Sequence, residues 1–485
     1  MRHGRPATWL APILAALPLA GCVLGPDYAR PPVPVHETWR DLPAATAESL
    51  ANTPWWELFQ DPVLQELIRT ALVENRDLRI AVERIEEARA RYGFTRSELW
   101  PQIDINATGG RFKLTEDGLI APLIDGDTPF YVLTADVTWE IDLFGRIRRA
   151  SEAEMSLLLA TDQARRFTVL TLVSDVARAY VELRDFDRRL EIGRSTLESR
   201  RAYRELAKDR FEGGLTSELD FRQAEAEYHR TESFVHQFEM RVGQKENELS
   251  VLLGRPPGNI LRGRPVEEVV TPPAVPAGLP SELLDRRPDI RQAEEELHAA
   301  TANIGQAKAL LFPRIALTGS YGWATTDLDA LFSQTSNTWN LAANLLQPIF
   351  NAGRNRRRVE VTESQQRQTL YAYEQTILLA FQEVEDSLIG YRKSGEQRLS
   401  EGQRVGAERK VLDLAEMRYR GGVAAYLEVL DAQRSLFSSQ LDEAQAIRDQ
   451  LVSLIRLYKA LGGGWPAEAE TASAGAAGTP TPQVP

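Results

Sequence analysis

Residues 418–434 read RYRGGVAAYLEVLDAQR, and residues 210–225 read RFEGGLTSELDFRQAE. In both stretches a Gly-Gly pair separates long segments of helical periodicity, and a constant shift of 208 positions places Ala432 over Ala224. Paired glycines end helices because glycine loses the most conformational entropy in a helix and tolerates positive φ. The chain is therefore a tandem duplication, and each copy is predicted to contain a helical hairpin with its tip at the glycines.

The duplication includes short strands. After Pro101 the apolar period changes from helical to two, and it does so again after Pro313, which lies 212 positions later. The pattern predicts strands at about 101–112 and 130–142, and at about 313–323 and 338–349, each with one apolar face. Ten alternating residues match the length that crosses an outer membrane at a tilt. An α+β membrane protein is therefore expected, with a soluble β-sandwich face as the alternative.

One chain has too few strands to close a barrel in a membrane. The smallest closed barrel has about eight strands, and an unpaired strand edge is not tolerated in lipid. Copies must therefore pool their strands, and the arithmetic allows a dimer or a trimer. No proline occurs between Pro129 and Pro256 or between Pro348 and Pro466, so each interval can hold a long helix and its return. At about 1.5 Å per residue, such a helix would approach about 100 Å in length.

The N-terminus carries an export signal. Arg2 and Arg5 precede an apolar run that is too short to span a bilayer, and the run ends in Leu-Ala-Gly-Cys at 19–22. This ending resembles the lipobox of bacterial lipoproteins, and Cys22 is the only cysteine. The resemblance implies cleavage after residue 21, acylation of Cys22 and, because Val23 follows, attachment to the outer membrane. A buried or free thiol at Cys22 is the alternative.

Charge and motif content exclude other function classes. The net charge is −12, and it becomes −14 once residues 1–21 and their two arginines are removed, which argues against nucleic acid as a partner. The sequence has no phosphate-binding loop, GxSxG or HExxH motif. His229 and His236 lack a third ligand nearby, so they do not indicate a metal site. We therefore predict no enzyme activity, no metal and no cofactor except the lipid on Cys22.

The predicted organisation has six parts. They are a signal peptide (1–21), a lipidated extended segment (22–54), a first repeat (55–254, tip near 213–214), a linker (255–281), a second repeat (282–461, tip near 421–422) and a disordered tail (462–485).

A basic run follows the second strand of each copy. The runs read GRIRR at 145–149 and GRNRRR at 353–358. Cations at the start of a helix oppose its dipole, so an anion from elsewhere should favour them. We expect the anionic headgroups of the inner leaflet to do so, with a merely solvated face as the alternative.

The lipobox, the duplicated hairpins, the paired strands and the string VLDAQR at 429–434 together resemble the TolC family of outer-membrane efflux channels. GPDYARP at 25–31 and LYKALGGGW at 457–465 extend the resemblance over nearly the whole mature chain. The lipoprotein branch that serves tripartite RND pumps, which contains OprM and NodT, fits best. The resemblance implies a homotrimer whose twelve-stranded barrel, with four strands from each chain, continues into a coiled-coil helical tunnel. It also implies a periplasmic adaptor, an inner-membrane RND pump and outer-membrane lipid as partners.

The resemblance assigns roles to residues at the tips. A periplasmic gate would be formed by Leu427 and Asp431, with Glu428 as a candidate second acidic ring. Links among Tyr419, Arg434 and Asp220 would hold the gate shut. A solvated end of a coiled coil is the alternative reading of this group. The residues expected to meet the adaptor are Gly213, Gly214, Leu215, Thr216, Gly421, Gly422 and Val423.

The implied function is a passive, gated conduit from periplasm to exterior, for drugs or other small toxic solutes, within an RND-type efflux system. Two alternatives stay open. A conduit for type I protein secretion would use the same architecture. A lipid-anchored structural coiled-coil protein would explain the helices and Cys22 but leaves the alternating strands unexplained.

Overall fold

The computed structural model describes residues 23–34, 38–40, 60–113, 127–265, 267, 277–278 and 280–463. The predicted signal peptide, Cys22 and residues 464–485 of the predicted tail therefore lie outside the described residues. The chain forms two compact units. Of the described residues, one unit contains those within 23–31, 85–160 and 293–373, and the other contains those within 32–84, 161–292 and 374–463.

The first repeat begins with two helices, α1 (Pro62–Glu74) and α2 (Arg76–Ser97), where the apolar period predicts a single run. Asn75 separates them. Its side-chain amide donates to the carbonyl of Leu252 (2.9 Å), and its side-chain oxygen accepts from the N–H of Leu78 (3.0 Å). The side chain of Asn75 therefore caps the start of α2, which accounts for the break.

The helices of the two repeats agree in length. The two longest have 67 residues each, their return helices have 35 each, and the helix before the second pair of strands has 22, as α2 does. A helix of four residues, α5 (Leu283–Arg286), precedes the 22-residue helix of the second repeat. The remaining helices are α3 (Arg146–Glu212), α4 (Glu218–Leu252), α6 (Pro288–Ala309), α7 (Arg354–Arg420) and α8 (Tyr426–Ala460).

The glycine pairs form the turns of the two hairpins. Gly214 has φ of +69°, and the N–H of Leu215 donates to the carbonyl of Arg210 (2.8 Å) at the end of α3. Gly422 has φ of +73° in the equivalent turn between α7 and α8. This geometry is a Schellman motif, which favours glycine because a Cβ opposes positive φ.

The four strands form one antiparallel sheet in chain order, so the outer two strands each have one free edge within the chain. The final strand ends before Pro348, because proline cannot donate to the ladder and is excluded from its interior. Its end therefore lies three residues before the predicted end at 349. The strands are β1 (Gln102–Lys113), β2 (Asp127–Ile141), β3 (Arg314–Thr325) and β4 (Asn337–Leu346).

The apolar cores lie among the helices. Ile68, Val176, Leu183 and Leu249 are fully buried in the largest cluster of the second unit. Burial of each such side chain contributes about 1.5–3 kcal/mol. Among the helices of the described ranges, none is both long and apolar enough to cross a membrane.

Candidate functional site

The sheet has two faces of opposite character, because the register keeps alternate residues of all four strands together. Ile105 and Leu341 on the apolar face are 81% and 77% exposed. The opposite face is polar and includes Asp104 beside Asp136. One face therefore suits lipid and the other suits water. The apolar rows are Ile103–Val137–Gly319–Leu341 and Ile105–Ala135–Tyr321–Trp339, and a polar row is Asp104–Asp136–Ser320–Asn340.

Near the second tip, α8 presents two faces. Leu427 and Asp431 are about one helical turn apart, so they share a face, and both are exposed. The opposite face is buried against α7 and the first hairpin through Tyr426, Val429 and Leu430. Because this packing fixes the buried face of α8, it also fixes the direction of the exposed face.

Glu428 lies beside Leu427 on the exposed part of α8. Its carboxylate is 3.4 Å from the guanidinium of Arg418 on α7, and both side chains are at least half exposed. Such a pair contributes about 0–1 kcal/mol. The structure thus brings Leu427, Glu428 and Asp431 to one exposed stretch, and their gating roles stay predictions.

An ion pair with a buried carboxylate joins the two hairpins. Glu227 on α4 is 5% exposed, and its carboxylate accepts from Nε of Arg434 on α8 (2.9 Å). The same carboxylate lies 2.7 Å from Nη1 of Arg200 on α3, which is 4% exposed. Burial raises the pKa of Glu227, but the hydrogen bond from Arg434 and the charge of Arg200 outweigh it and hold this pKa below its ordinary value. The pair is therefore charged at neutral pH.

The predicted link among Tyr419, Arg434 and Asp220 is not made within the chain. Among the described contacts, Arg434 pairs with Glu227 instead of Asp220. The ring of Tyr419 lies 5.1 Å from the guanidinium carbon of Arg210. Glu227 takes the cation because it is buried two helical turns beyond Asp220, where an unpaired carboxylate is costly. A link between copies at these residues stays a prediction.

Glu227 is not among the residues predicted from the sequence, although a signal for it exists. Ala224, Thr231 and Val235 are buried on α4, and Glu227 falls in the same stripe at helical spacing. A carboxylate in such a stripe needs a cation from another element. The stripe alone does not reveal that Arg200 and Arg434 supply it.

The residues predicted to meet an adaptor lie at the surface of the two turns. The four glycines, Leu215 and Val423 are exposed, and Thr216 is half-buried. Each turn therefore presents bare backbone next to an exposed apolar side chain, which an apolar partner could cover. Contact with an adaptor stays a prediction.

The basic run of the first repeat is neutralised by the chain itself. Arg146 pairs with Glu140 (2.8 Å) and Glu98 (3.1 Å). Arg148 pairs with Asp142 (3.3 Å), whose side chain is buried. The expectation that lipid headgroups neutralise this run is therefore wrong for the first repeat, because carboxylates at the end of β2 and just after α2 do so.

The second basic run lacks these partners. The positions 208 residues after Glu140 and Asp142 hold Pro348 and Phe350. Arg354 and Arg356 are exposed, and among the described residues neither has an ion pair. For this run, contact with headgroups stays a prediction.

The segment 23–31, which we call the strap, is fastened beside the sheet. The guanidinium of Arg149 donates to the carbonyl of Leu24 (3.1 Å) and pairs with Asp27 (2.7 Å). Tyr28 donates to Glu294 (3.1 Å), and burial followed by the charge of Glu294 raises the pKa of Tyr28. The strap therefore holds the residues that follow Cys22 against α3 and α6.

Two glycines allow the strap to approach α6. Gly25 has φ of +100°, and a Cβ at this position would overlap the Cα of Gly305. A Cβ at Gly305 would in turn crowd the carbonyl oxygen of Leu24. The Gly-Pro-Asp-Tyr string is thus explained by close packing and by the ion pair of Asp27.

The chain has the features of an outer-membrane channel subunit. Its sheet has one apolar face, one polar face and two free edges, and its helical hairpins are duplicated. The chain belongs to the outer membrane efflux protein family, which matches residues 67–255 and 279–463. The match covers both repeats. The family consists of channels, so the prediction that the chain is not an enzyme is confirmed.

Individual proteins are similar over nearly the whole length. Solvent efflux pump outer membrane protein SrpC of Pseudomonas putida is 40% identical over 469 residues, which cover 94% of this chain and 98% of that protein. Cation efflux system protein CusC of Escherichia coli O6:H1 (strain CFT073) is 36% identical over 470 residues, with coverage of 94% and 98%. The open state of the Neisseria gonorrhoeae MtrE outer membrane channel superposes with a TM-score of 0.82 at 32% identity, covering 91% of this chain and 98% of that one.

These similarities confirm the TolC-like fold class, with four strands in each chain, and the function as the outer-membrane channel of a tripartite efflux system. The chain accordingly resides in the outer membrane. Lipid anchoring, the particular adaptor and the particular pump stay predictions.

Proposed function

We propose that three copies of the chain close into one twelve-stranded barrel, that acylated Cys22 anchors each copy, and that the helical hairpins form a gated periplasmic tunnel. The two free edges of the sheet support closure between copies, because an unpaired edge in lipid leaves backbone groups without partners. The apolar and polar faces support a wall with lipid outside and water inside. The strap supports the anchor, because it fixes the residues after Cys22 beside the sheet.

The gate lies at α8. The observation that carries this assignment is the exposed face of Leu427 and Asp431 opposite a buried one. Around a threefold axis, three leucines form an apolar constriction that resists hydration. Three Asp431 carboxylates repel one another and attract cations.

The ion pair between the buried carboxylate of Glu227 and Arg434 keeps the gate shut. It joins α8 of the second hairpin to α4 of the first, so the second hairpin cannot move away without separating a buried carboxylate from its cation. The predicted partners fit this arrangement: a periplasmic adaptor covers the exposed turns, and an inner-membrane RND pump supplies the energy.

The cargo is a small toxic solute that the pump selects. The names of the similar proteins refer to solvents in one case and to cations in another, and such unlike cargoes on one fold support a conduit of low selectivity. Their description as efflux components favours efflux over type I protein secretion. Nothing favours the structural coiled-coil alternative, which makes no use of the sheet.

Alanine replacement of Leu427 and Asp431 together tests the gate. Cells that carry the double variant should become more sensitive to an antibiotic too large for general porins, because the constriction loses both its apolar and its charged ring. The matched control is Leu219→Ala with Gln223→Ala, at the positions 208 residues earlier. Trimer amounts should be equal in all strains, and unchanged permeability with normal assembly rejects the assignment.

A further inference from the structure

The apolar face of the sheet ends in two cations. Ile103 and Ile105 lie on that face, and the alternation of β1 places Arg111 and Lys113 on it as well. Both cations are exposed. They lie at the end of β1 that leads into the hairpin loop, opposite the end that follows α2.

The distribution of basic residues over the strands is one-sided. Among the described strand residues, the basic side chains are Arg111, Lys113 and Arg314. Arg314 belongs to the polar face at the helical end of the sheet, by the register that pairs Ile315 with Leu345. The loop end of the apolar face therefore carries the cations Arg111 and Lys113.

Aromatic side chains of the same face mark the depth of these cations. Tyr131 pairs with Gly109, one step inward from Arg111. Trp323 pairs with Leu133, and its ring centroid lies 5.4 Å from that of Phe332. Aromatic girdles of membrane strands sit at the headgroup level. Arg111 and Lys113 therefore lie at or just beyond the headgroups on the loop side of the sheet.

We propose that Arg111 and Lys113 bind the phosphate groups of lipopolysaccharide in the outer leaflet. The inference rests on the proposed placement of the sheet in the outer membrane, which turns the hairpin loops outward. A guanidinium matches phosphate oxygens with two parallel hydrogen bonds, and an ammonium adds a point charge. At the lipid boundary these charges are partly desolvated, so the contact is stronger than between groups in bulk water.

Thermal denaturation of the purified trimer, monitored as its dissociation into monomers in detergent, tests this binding. Phosphorylated lipopolysaccharide should raise the midpoint of the wild-type trimer, and dephosphorylated lipopolysaccharide should not. Arg111→Gln with Lys113→Gln should abolish the gain, and Arg111→Lys alone should keep most of it. The matched control Arg314→Gln, at the opposite end of the sheet, should keep all of it.

Three results overturn the proposal. The double variant could keep the full gain, or dephosphorylated lipopolysaccharide could stabilise as well as the phosphorylated form, which would assign the effect to acyl chains. A lower midpoint of the double variant without any lipid would assign the cations to contacts between copies. Failure of the wild-type chain itself to form trimers would count against the proposed function, and the two failures are thereby distinguished.

Discussion

Replacement of Arg434 by glutamine should open the periplasmic end while leaving the helices folded. The side chain of Arg434 is 43% exposed, and Glu227 keeps its second cation, Arg200, when Arg434 is removed. The loss is that of a hydrogen bond between charged groups, about 1.5–3 kcal/mol per chain. Since about 1.4 kcal/mol is a tenfold change in an equilibrium, the open fraction of each chain's hairpin should rise about tenfold to a hundredfold.

Replacement of Glu227 by glutamine should have a larger effect on stability. It leaves Arg200, which is 4% exposed, without a counterion. An uncompensated buried charge costs about 3–5 kcal/mol. The Glu227→Gln trimer should therefore be both more open and less resistant to heat, whereas Arg434→Gln should be more open with a smaller loss of thermal resistance.

The open probability of single channels in planar bilayers, together with the thermal midpoint by circular dichroism, measures both effects. The matched control is Arg404→Gln, which breaks an exposed pair with Asp442 (3.0 Å) between α7 and α8 of a single hairpin. This control should leave the open probability unchanged. An Arg434→Gln channel that opens no more often than the Arg404→Gln channel would refute the assignment of Glu227 and Arg434 as the lock.

Three further outcomes are expected. Acid should open the channel. Because the pKa of Glu227 is lowered in the folded protein, the stabilisation from its carboxylate is complete above the ordinary pKa of about 4.3 and is lost as the pH falls through the pKa in the folded protein. Glu227→Gln should remove this acid response in bilayer recordings. Gly25→Ala should loosen the strap, because the added Cβ overlaps Gly305, and overpacking of about 1–3 kcal/mol should lower the calorimetric midpoint. Leu345→Cys combined with Ala107→Cys should cross-link neighbouring copies, as seen on a non-reducing gel.

The cross-link follows from the duplication. Within the chain, Val137 on β2 pairs with Gly319 on β3. In the duplication, Leu345 on β4 lies 208 positions after Val137, and Ala107 on β1 lies 212 positions before Gly319. Leu345 of one copy should therefore face Ala107 of the next copy. Leu345→Cys with Gly109→Cys, two residues along the same face, should form no cross-link. A cross-link at that second pair alone would show a different register.

The other two outcomes have their own controls. Gly243→Ala has open space around its Cβ and should change the free energy of unfolding by no more than about 1 kcal/mol. A Gly25→Ala midpoint that is not lowered relative to Gly243→Ala would argue against a packed strap. Acid opening that persists in Glu227→Gln would show that Glu227 is not the group that responds to acid.

Much of the fold can be predicted from the sequence because its signals are local. The Gly-Gly pairs end the helices, Pro101 and Pro313 precede the strands, and a period of two separates the faces of the sheet. The shifts of 208 and 212 positions correspond to helices of equal length in the two repeats. Membership of the family follows from the same patterns.

The features that the sequence did not predict are pairings between residues far apart in the chain. Glu227 and Arg434 are 207 positions apart, and periodicity does not indicate which cation reaches a buried carboxylate. Likewise, the carboxylates that neutralise Arg146 come from the end of β2 and from the residue just after α2, so the basic run alone suggested an external anion. At Asn75, side-chain hydrogen bonds override a continuous apolar period.

Native mass spectrometry of the detergent-extracted protein tests the shared barrel most directly. A shared barrel predicts an assembly of three chains that retains its β-sheet signal in circular dichroism. A monomer with the same β-sheet signal would contradict it, because the edges of β1 and β4 would then have no partner in the membrane.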